Sequence, residues 1–189
     1  MRKITTDIEN PIDNIIIYMA ERSAPLYKSL NMVPNHLTTL SLICNVSSAV
    51  LLYYDSKYMS ALMFLLGYYF DCADGFYARH YDMVTKFGDY YDHINDKMKI
   101  IMIVFVMYLK SKCKLIKISP IIIFLGLLAV THLGCQEKIY SKDESPMLHA
   151  FKHLCDSYHD DDVTPLIRFS RYFGTGTFMV CMALLIVTF

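Results

Sequence analysis

The stretch from Asp71 to Asp96 places four aspartates, two glycines, an alanine and an arginine at fixed spacing. It reads Asp71-x2-Asp74-Gly75-x2-Ala78-Arg79-x8-Gly88-x3-Asp92-x3-Asp96. Long apolar runs lie on both sides of it, so these carboxylates are expected at or within a membrane. Carboxylates in that setting repel one another and lose hydration, and they persist mainly where a cation holds them together. The stretch therefore predicts a cation site built into a helical membrane protein.

The aspartates fall into two pairs with helical spacing. Asp71 and Asp74 are three residues apart, and Asp92 and Asp96 are four apart, so each pair shares one face of a helix. The short turn at His80–Phe87 predicts that the two helices are antiparallel neighbours, with two carboxylates from each facing one cavity. Hard divalent cations take oxygen ligands, and two of them can clamp a phosphoryl group. We expect two ions of Mg²⁺ or Mn²⁺, because no Cys or His belongs to the pattern.

This pattern resembles the signature of the class-I CDP-alcohol phosphotransferases, also called the CDP-alcohol phosphatidyltransferase family, which are integral membrane enzymes of phospholipid biosynthesis. All eight signature positions are present. The resemblance covers Pro34 to about Lys110. It implies an enzyme that transfers a substituted phosphate from a CDP-alcohol to a hydroxyl acceptor and releases CMP. It also implies divalent-metal dependence, a lipid bilayer as surroundings and a homodimer.

The resemblance assigns roles to individual residues. Asp71, Asp74 and Asp92 resemble metal ligands. Asp96 resembles both a ligand and the general base that takes the proton from the incoming hydroxyl. The residues that match positions contacting the CDP moiety are Asn35, Thr38, Gly75, Ala78, Arg79, Thr85 and Gly88.

Several of these residues also suit structural roles. Asn35 and Thr38 can cap the first transmembrane helix, and Gly75 and Ala78 can allow close helix packing. Arg79 has forked donors that suit phosphate.

Other polar side chains near the signature or beyond it have mainly structural interpretations. Asp89 shares a face with Asp92 and favours stabilisation of a helix N-terminus. His93 either orients the site or is an interfacial histidine. A polar segment also carries residues whose spacing suits zinc, although such residues often occupy a loop helix. These are His149, His153, Cys155 and His159.

The composition predicts an all-α, multi-pass transmembrane bundle of five to six spans. Hydrophobic residues make up 54% of the 189 residues. Asn10-Pro11 predicts the start of an amphipathic interfacial helix that runs to about Ala20, with a short buried helix as the alternative. Residues 1–33 are expected to form a cytoplasmic N-terminus and residues 34–189 the membrane domain. The predicted spans are Leu37–Tyr54, Tyr58–Tyr77, Asp89–Leu109, Leu115–Leu133 and Pro165–Phe189.

Charge distribution predicts the orientation. Thirteen of the 18 basic residues fall on the side that carries the signature aspartates, which makes that side cytoplasmic. The active site is then expected to face the cytoplasm, in the endoplasmic reticulum if the protein is eukaryotic. The six cysteines are scattered and are expected to be unpaired thiols. No basic cluster is interleaved with aromatics, so nucleic acid is not an expected partner.

The sequence leaves the substrates and two rival functions open. Pro34-Asn35-His36-Leu37-Thr38 is similar to the choline/ethanolamine branch, which uses CDP-aminoalcohols, whereas the short length is more like phosphatidyltransferases that use CDP-diacylglycerol. Arg168 and Arg171 suit an anionic acceptor or anchoring at the membrane interface. The family core has six transmembrane helices, and only five are evident here. The alternatives are a catalytically inactive membrane protein that retains the metal and nucleotide site, and a divalent-cation carrier.

Overall fold

The computed structural model describes residues 5–139 and 167–189, and the secondary structure of these residues is helical, without strands. A 3₁₀ turn at Arg171–Phe173 precedes the last helix. The predicted all-α class is therefore confirmed. The helices are α1 Pro11–Ser29, α2 Pro34–Tyr53, α3 Lys57–His80, α4 Lys86–Lys110, α5 Lys112–Ile139 and α6 Thr175–Thr188.

Helix α1 begins where the sequence predicts and ends later. The side-chain oxygen of Asn10 accepts a hydrogen bond from the backbone N–H of Ile12 at 2.9 Å, which caps the helix. The predicted end near Ala20 is wrong, because the helix continues through Pro25 to Ser29. Burial of an apolar face, which includes Tyr27, stabilises a helix that local propensity alone would break at proline. Its place at a membrane surface stays a prediction.

Three described helices are long and apolar enough to cross a membrane, and the chain is a membrane protein. They are Pro34–Tyr53, Lys112–Gln136 and the helical stretch Ile167–Thr188, which includes the 3₁₀ turn and α6. They lie at the places of the first, fourth and fifth predicted spans. Helices α3 and α4 have 24 and 25 residues, which is sufficient length. Because of their charged residues, α3 and α4 are not among the three helices that are apolar enough to cross a membrane. That they cross the membrane stays a prediction. The residues whose spacing suits zinc, His149 to His159, lie outside the described residues.

Helix α2 packs against both α3 and α4. Its hydroxyl and amide side chains contact these two neighbours. The hydroxyl of Ser41 accepts a hydrogen bond from the side-chain amide of Asn95 on α4 at 2.8 Å. Small polar residues of this kind allow close approach of membrane helices and bond across them. The almost fully buried polar residues of α2 are Thr38, Ser41, Asn45 and Ser48.

Helices α3 and α4 run antiparallel, but in the described part of the chain each packs closely against α2 and not against the other, so the prediction holds for their direction and side-chain contacts and not for close packing. Where α3 begins and α4 ends, the ammonium group of Lys110 lies 2.6 Å from the carboxylate of Asp55. The hydrogen bond from Lys110 lowers the pKa of this exposed carboxyl below its usual value. Where α3 ends and α4 begins, the signature aspartates approach one another. The two ends of the helix pair therefore carry different chemistry.

The chain divides into two compact units. The first comprises Ile15–Ser119 and Met179–Phe189 and contains every signature residue. The described residues of the second are those up to Asn14, 120–139 and 167–178. Within this second unit the guanidinium of Arg171 donates to the backbone oxygen of Asp7, a structural contact for a residue that the sequence offered as an anion ligand.

One expectation about the cysteines is wrong. Cys135 is disulfide-bonded, whereas the sequence predicted that all six cysteines would be unpaired. Irregular spacing excludes local metal-binding or hairpin pairs, but it does not exclude a pair that tertiary structure brings together. The thiols that are free among the described residues are Cys44, Cys72, Cys113 and Cys181.

Candidate metal centre

Asp71 of α3 and Asp96 of α4 are joined by a buried lysine. The ammonium nitrogen of Lys99 lies 3.0 Å from Asp71 Oδ2 and 2.6 Å from Asp96 Oδ1. The side chain of Lys99 is 1% exposed and that of Asp96 is 39% exposed. The two predicted carboxylate pairs therefore converge, and a protein cation lies between them.

Asp74 is the most deeply buried of the four aspartates. Its residue is 3% exposed, and Thr38, at 2% exposed, lies against it. The hydroxyl of Thr38 donates a hydrogen bond to Asp74 Oδ2. A hydrogen bond to a carboxylate fixes its orientation and stabilises its charged form. Helix α2 therefore positions this aspartate from outside the α3–α4 pair.

Asp92 lies beside a histidine. One ligand atom from each of Asp92, His93 and Asp96 can be chosen so that all three lie within 4.8 Å of one another. His93 Nε2 also lies 3.5 Å from Asp89 Oδ1, so this nonsignature acid orients the ring. The sequence left His93 either to orient the site or to lie at the interface, and the structure places its ring beside Asp92 and Asp96.

The oxygens of the cluster fit a divalent cation. Asp71 Oδ1 and Asp92 Oδ1 are buried and have no hydrogen-bond partner among the described residues. A buried carboxylate oxygen without a partner is costly, and a hard cation is the partner that such oxygens prefer. These two atoms, one from each helix, are the observation that favours a metal.

The two glycines of the signature are closely approached by neighbouring side chains. A Cβ atom on Gly75 would lie 3.2 Å from the guanidinium of Arg79. A Cβ atom on Gly88 would lie 3.0 Å from Thr85 Oγ1 and 3.1 Å from Asn35 Oδ1. At both positions an added side chain would crowd the side chains that already lie there, which favours glycine.

Thr85 and Asn35 have local roles that the sequence did not assign. Thr85 is the N-cap of α4, and its hydroxyl accepts a hydrogen bond from the N–H of Gly88 at 3.0 Å. The N-cap of α2 is Val33, so the alternative in which Asn35 and Thr38 cap that helix is wrong. Asn35 instead lies near Gly88, within the first turn of α2. The one remaining signature position, Ala78, is half-buried on α3.

Sequence reasoning missed Lys99. A signal was present, because Lys99 follows Asp96 by three residues and Asn95 by four, which places it on the inward face of α4. Basic residues near the end of a span are more often interface anchors, and the charge count treated Lys99 in that way. Burial within a carboxylate cluster can be recognised only once the neighbouring helices are in place.

Comparison with known proteins identifies the family of the chain. The family model for CDP-alcohol phosphatidyltransferase matches residues 31–152, which include all of the signature. The chain belongs to the CDP-alcohol phosphatidyltransferase family. No solved structure shows significant similarity to it.

Named relatives match only part of the chain. A CDP-diacylglycerol–glycerol-3-phosphate 3-phosphatidyltransferase of Rickettsia typhi is 37% identical over 83 residues, which are 42% of this chain and 46% of that protein. An archaetidylinositol phosphate synthase of Pyrococcus horikoshii is 25% identical over 105 residues, which are 56% of this chain and 52% of that protein. The chain thus spans about half the length of the curated relatives that it matches.

Proposed function

We propose that this protein is a divalent-metal-dependent CDP-alcohol phosphotransferase, which moves a substituted phosphate from a CDP-alcohol to a hydroxyl acceptor and releases CMP. The observation that carries the proposal is the pair of buried, unpartnered carboxylate oxygens of Asp71 and Asp92, one on each of two antiparallel helices. Membership of the family supports the same reaction class.

Mg²⁺ or Mn²⁺ is the proposed cofactor, and Asp71, Asp74, Asp92 and Asp96 are the residues that would hold it. When bound, such an ion neutralises charge on the phosphoryl group and polarises it toward attack. The hydroxyl of Thr38 keeps Asp74 in one orientation. Four carboxylates suit two divalent ions. The ammonium of Lys99 competes with these ions for the carboxylates.

The cytidine and diphosphate groups of the donor are proposed to lie along the ends of α3 and α4. Gly75 and Gly88 leave space for them, and Arg79 supplies forked donors for phosphate oxygens. Asn35 lies close to Gly88, where its side-chain amide can contact the nucleotide. Thr38, Ala78 and Thr85 act by shaping this space.

Asp96 is the proposed general base. Its side chain is the most accessible of those bonded to Lys99, at 39% exposed, so an acceptor hydroxyl can approach it. Asp96 takes the hydroxyl proton as the oxygen attacks the phosphorus bonded to the activated alcohol, and the bond to CMP breaks. A carboxylate already paired with Lys99 is a poorer base, so this pairing must weaken during turnover.

CDP-diacylglycerol is the proposed donor. The bacterial relative is named a CDP-diacylglycerol–glycerol-3-phosphate 3-phosphatidyltransferase and the archaeal one an archaetidylinositol phosphate synthase, which favours a lipid-bearing donor and a small polar acceptor over a CDP-aminoalcohol. We further propose that residues 34–189 form the catalytic membrane domain and residues 1–33 its cytoplasmic N-terminus. In this proposal the active site faces the cytoplasm and the protein is a homodimer.

The test is CMP release by the purified full chain in detergent micelles that contain CDP-diacylglycerol. Glycerol-3-phosphate, inositol phosphate, inositol and serine are supplied as acceptors, with Mg²⁺, with Mn²⁺ or with EDTA, and CDP-choline with diacylglycerol is the comparison pair. We expect metal-dependent turnover with at least one CDP-diacylglycerol pair. Turnover with CDP-choline alone would contradict the donor assignment, and turnover unaffected by EDTA would contradict the metal assignment.

Asp96→Asn tests the general base. The variant should lose at least about 100-fold in kcat while binding of CDP stays within a few-fold of wild type. Asp82→Asn is the matched control, because Asp82 is an exposed acid in the adjacent loop and its φ of 54° suits asparagine. No turnover by wild type with any donor, together with retained binding of CDP, would instead support the inactive membrane protein.

A further inference from the structure

The cluster contains a cation of its own. The Lys99 ammonium bonds carboxylate oxygens from two helices, Asp71 on α3 and Asp96 on α4. Its nitrogen also lies 5.3 Å from the centre of the Tyr68 ring. A lysine that is 1% exposed is retained in such surroundings only when it is paired and hydrogen-bonded. Lys99 is therefore a component of the site and not a solvated residue near it.

Lys99 occupies a place where a shared metal ion would bind. An ion that joined the two helices through Asp71 and Asp96 would compete for these carboxylates with the ammonium, which contacts Asp71 Oδ2 at 3.0 Å and Asp96 Oδ1 at 2.6 Å. The buried oxygens that remain without a hydrogen-bond partner are Asp71 Oδ1 and Asp92 Oδ1. The cluster thus offers one cation position that is available and one that Lys99 already fills.

Charge balance favours the same division. Four carboxylates carry four negative charges, and Lys99 neutralises one of them. A single divalent ion then leaves one negative charge, whereas a second ion would make the cluster positive before any substrate is present. The diphosphate of a CDP-alcohol brings two further negative charges and oxygen ligands of its own. The second ion is therefore favoured when the donor is bound and disfavoured when it is not.

We propose that Lys99 holds the place of the second divalent ion until a diphosphate-bearing nucleotide arrives. The nucleotide-free protein binds one divalent ion together with Lys99, and the second ion binds with the nucleotide as the ammonium withdraws. The flexible stem of lysine permits this movement, and the adjacent face of Tyr68 can continue to stabilise the charge. The inference rests on the proposed function, because it takes the aspartates as metal ligands.

The experiment counts Mn²⁺ bound to the full chain in detergent by equilibrium dialysis with electron paramagnetic resonance, corrected for complexes of Mn²⁺ with CDP. Wild type should hold one Mn²⁺ alone and two in saturating CDP, and cytidine, which lacks phosphate, should leave the count at one. Lys99→Met should hold two without nucleotide. Lys97→Met, a change at an exposed lysine of the same helix, should behave as wild type.

Two results would overturn the inference. They are two Mn²⁺ bound by wild type without nucleotide, and an unchanged single Mn²⁺ in a folded Lys99→Met variant. If Lys99→Met does not fold, Lys99→Gln replaces it, and the wild-type counts with and without CDP decide independently. Normal CMP release alongside either overturning result would reject this role of Lys99 alone, whereas no bound Mn²⁺ and no CMP release would reject the proposed function as well.

Discussion

Replacing Thr38 by valine removes one hydroxyl from behind a proposed metal ligand and keeps the side-chain shape. Thr38 and Asp74 are 2% and 3% exposed, so water cannot replace the lost hydrogen bond. A hydrogen bond to a charged group contributes about 1.5–3 kcal/mol. At about 1.4 kcal/mol for each tenfold change, the loss corresponds to about 10- to 150-fold.

We expect this loss to appear as weaker metal activation. If Asp74 is a ligand, Thr38 acts behind it, and groups of this kind typically change metal affinity or activity by about 10- to 100-fold. CMP release is measured against Mg²⁺ concentration at saturating donor. The half-activating Mg²⁺ concentration of Thr38→Val should rise at least about tenfold, with a smaller change in the KM for the donor.

Two variants make the measurement specific. Thr38→Ser keeps the hydroxyl and should remain within about threefold of wild type. Thr39→Val removes the neighbouring hydroxyl, which is exposed and lies 3.1 Å from the hydroxyl of Tyr91, and should change little. Equal Mg²⁺ requirements in Thr38→Val and wild type would refute the reasoning. A rise confined to the KM for the donor would instead favour direct contact between Thr38 and the nucleotide.

Two further substitutions test the space beside the nucleotide and the packing of α2. Gly88→Ala places a methyl group 3.1 Å from Asn35 Oδ1, and overpacking of this kind costs about 1–3 kcal/mol. The dissociation constant for CDP, measured by titration calorimetry, should therefore rise about tenfold. Unchanged affinity would show that the nucleotide does not lie there. Ser41→Ala removes the acceptor of the 2.8 Å hydrogen bond from Asn95 and should lower the free energy of unfolding in detergent by about 1–3 kcal/mol. Ser47→Ala, at a less buried position of the same helix, is the control and should have a smaller effect. Equal effects of the two substitutions would contradict the assigned bond.

Local spacing was sufficient to place the carboxylates. The intervals within Asp71–Asp74 and Asp92–Asp96 determine which residues share a helix face, since that depends only on 3.6 residues per turn. The start of α3, predicted at Tyr58, lies at Lys57 in the structure, whereas its end lies at His80, three residues beyond the predicted Tyr77. The same local information failed at Pro25, where burial against other helices outweighs helix propensity.

What the sequence alone determined is therefore the all-α class, the family and the faces on which the acidic pairs lie. Only the tertiary structure decided that α2 supplies Thr38 to Asp74 and that Lys99 lies between Asp71 and Asp96. Periodicity orients a side chain about its own helix axis, but it does not specify which distant helix will face it. That choice depends on how three helices bury their polar groups together, because an unpartnered charge between them would be too costly.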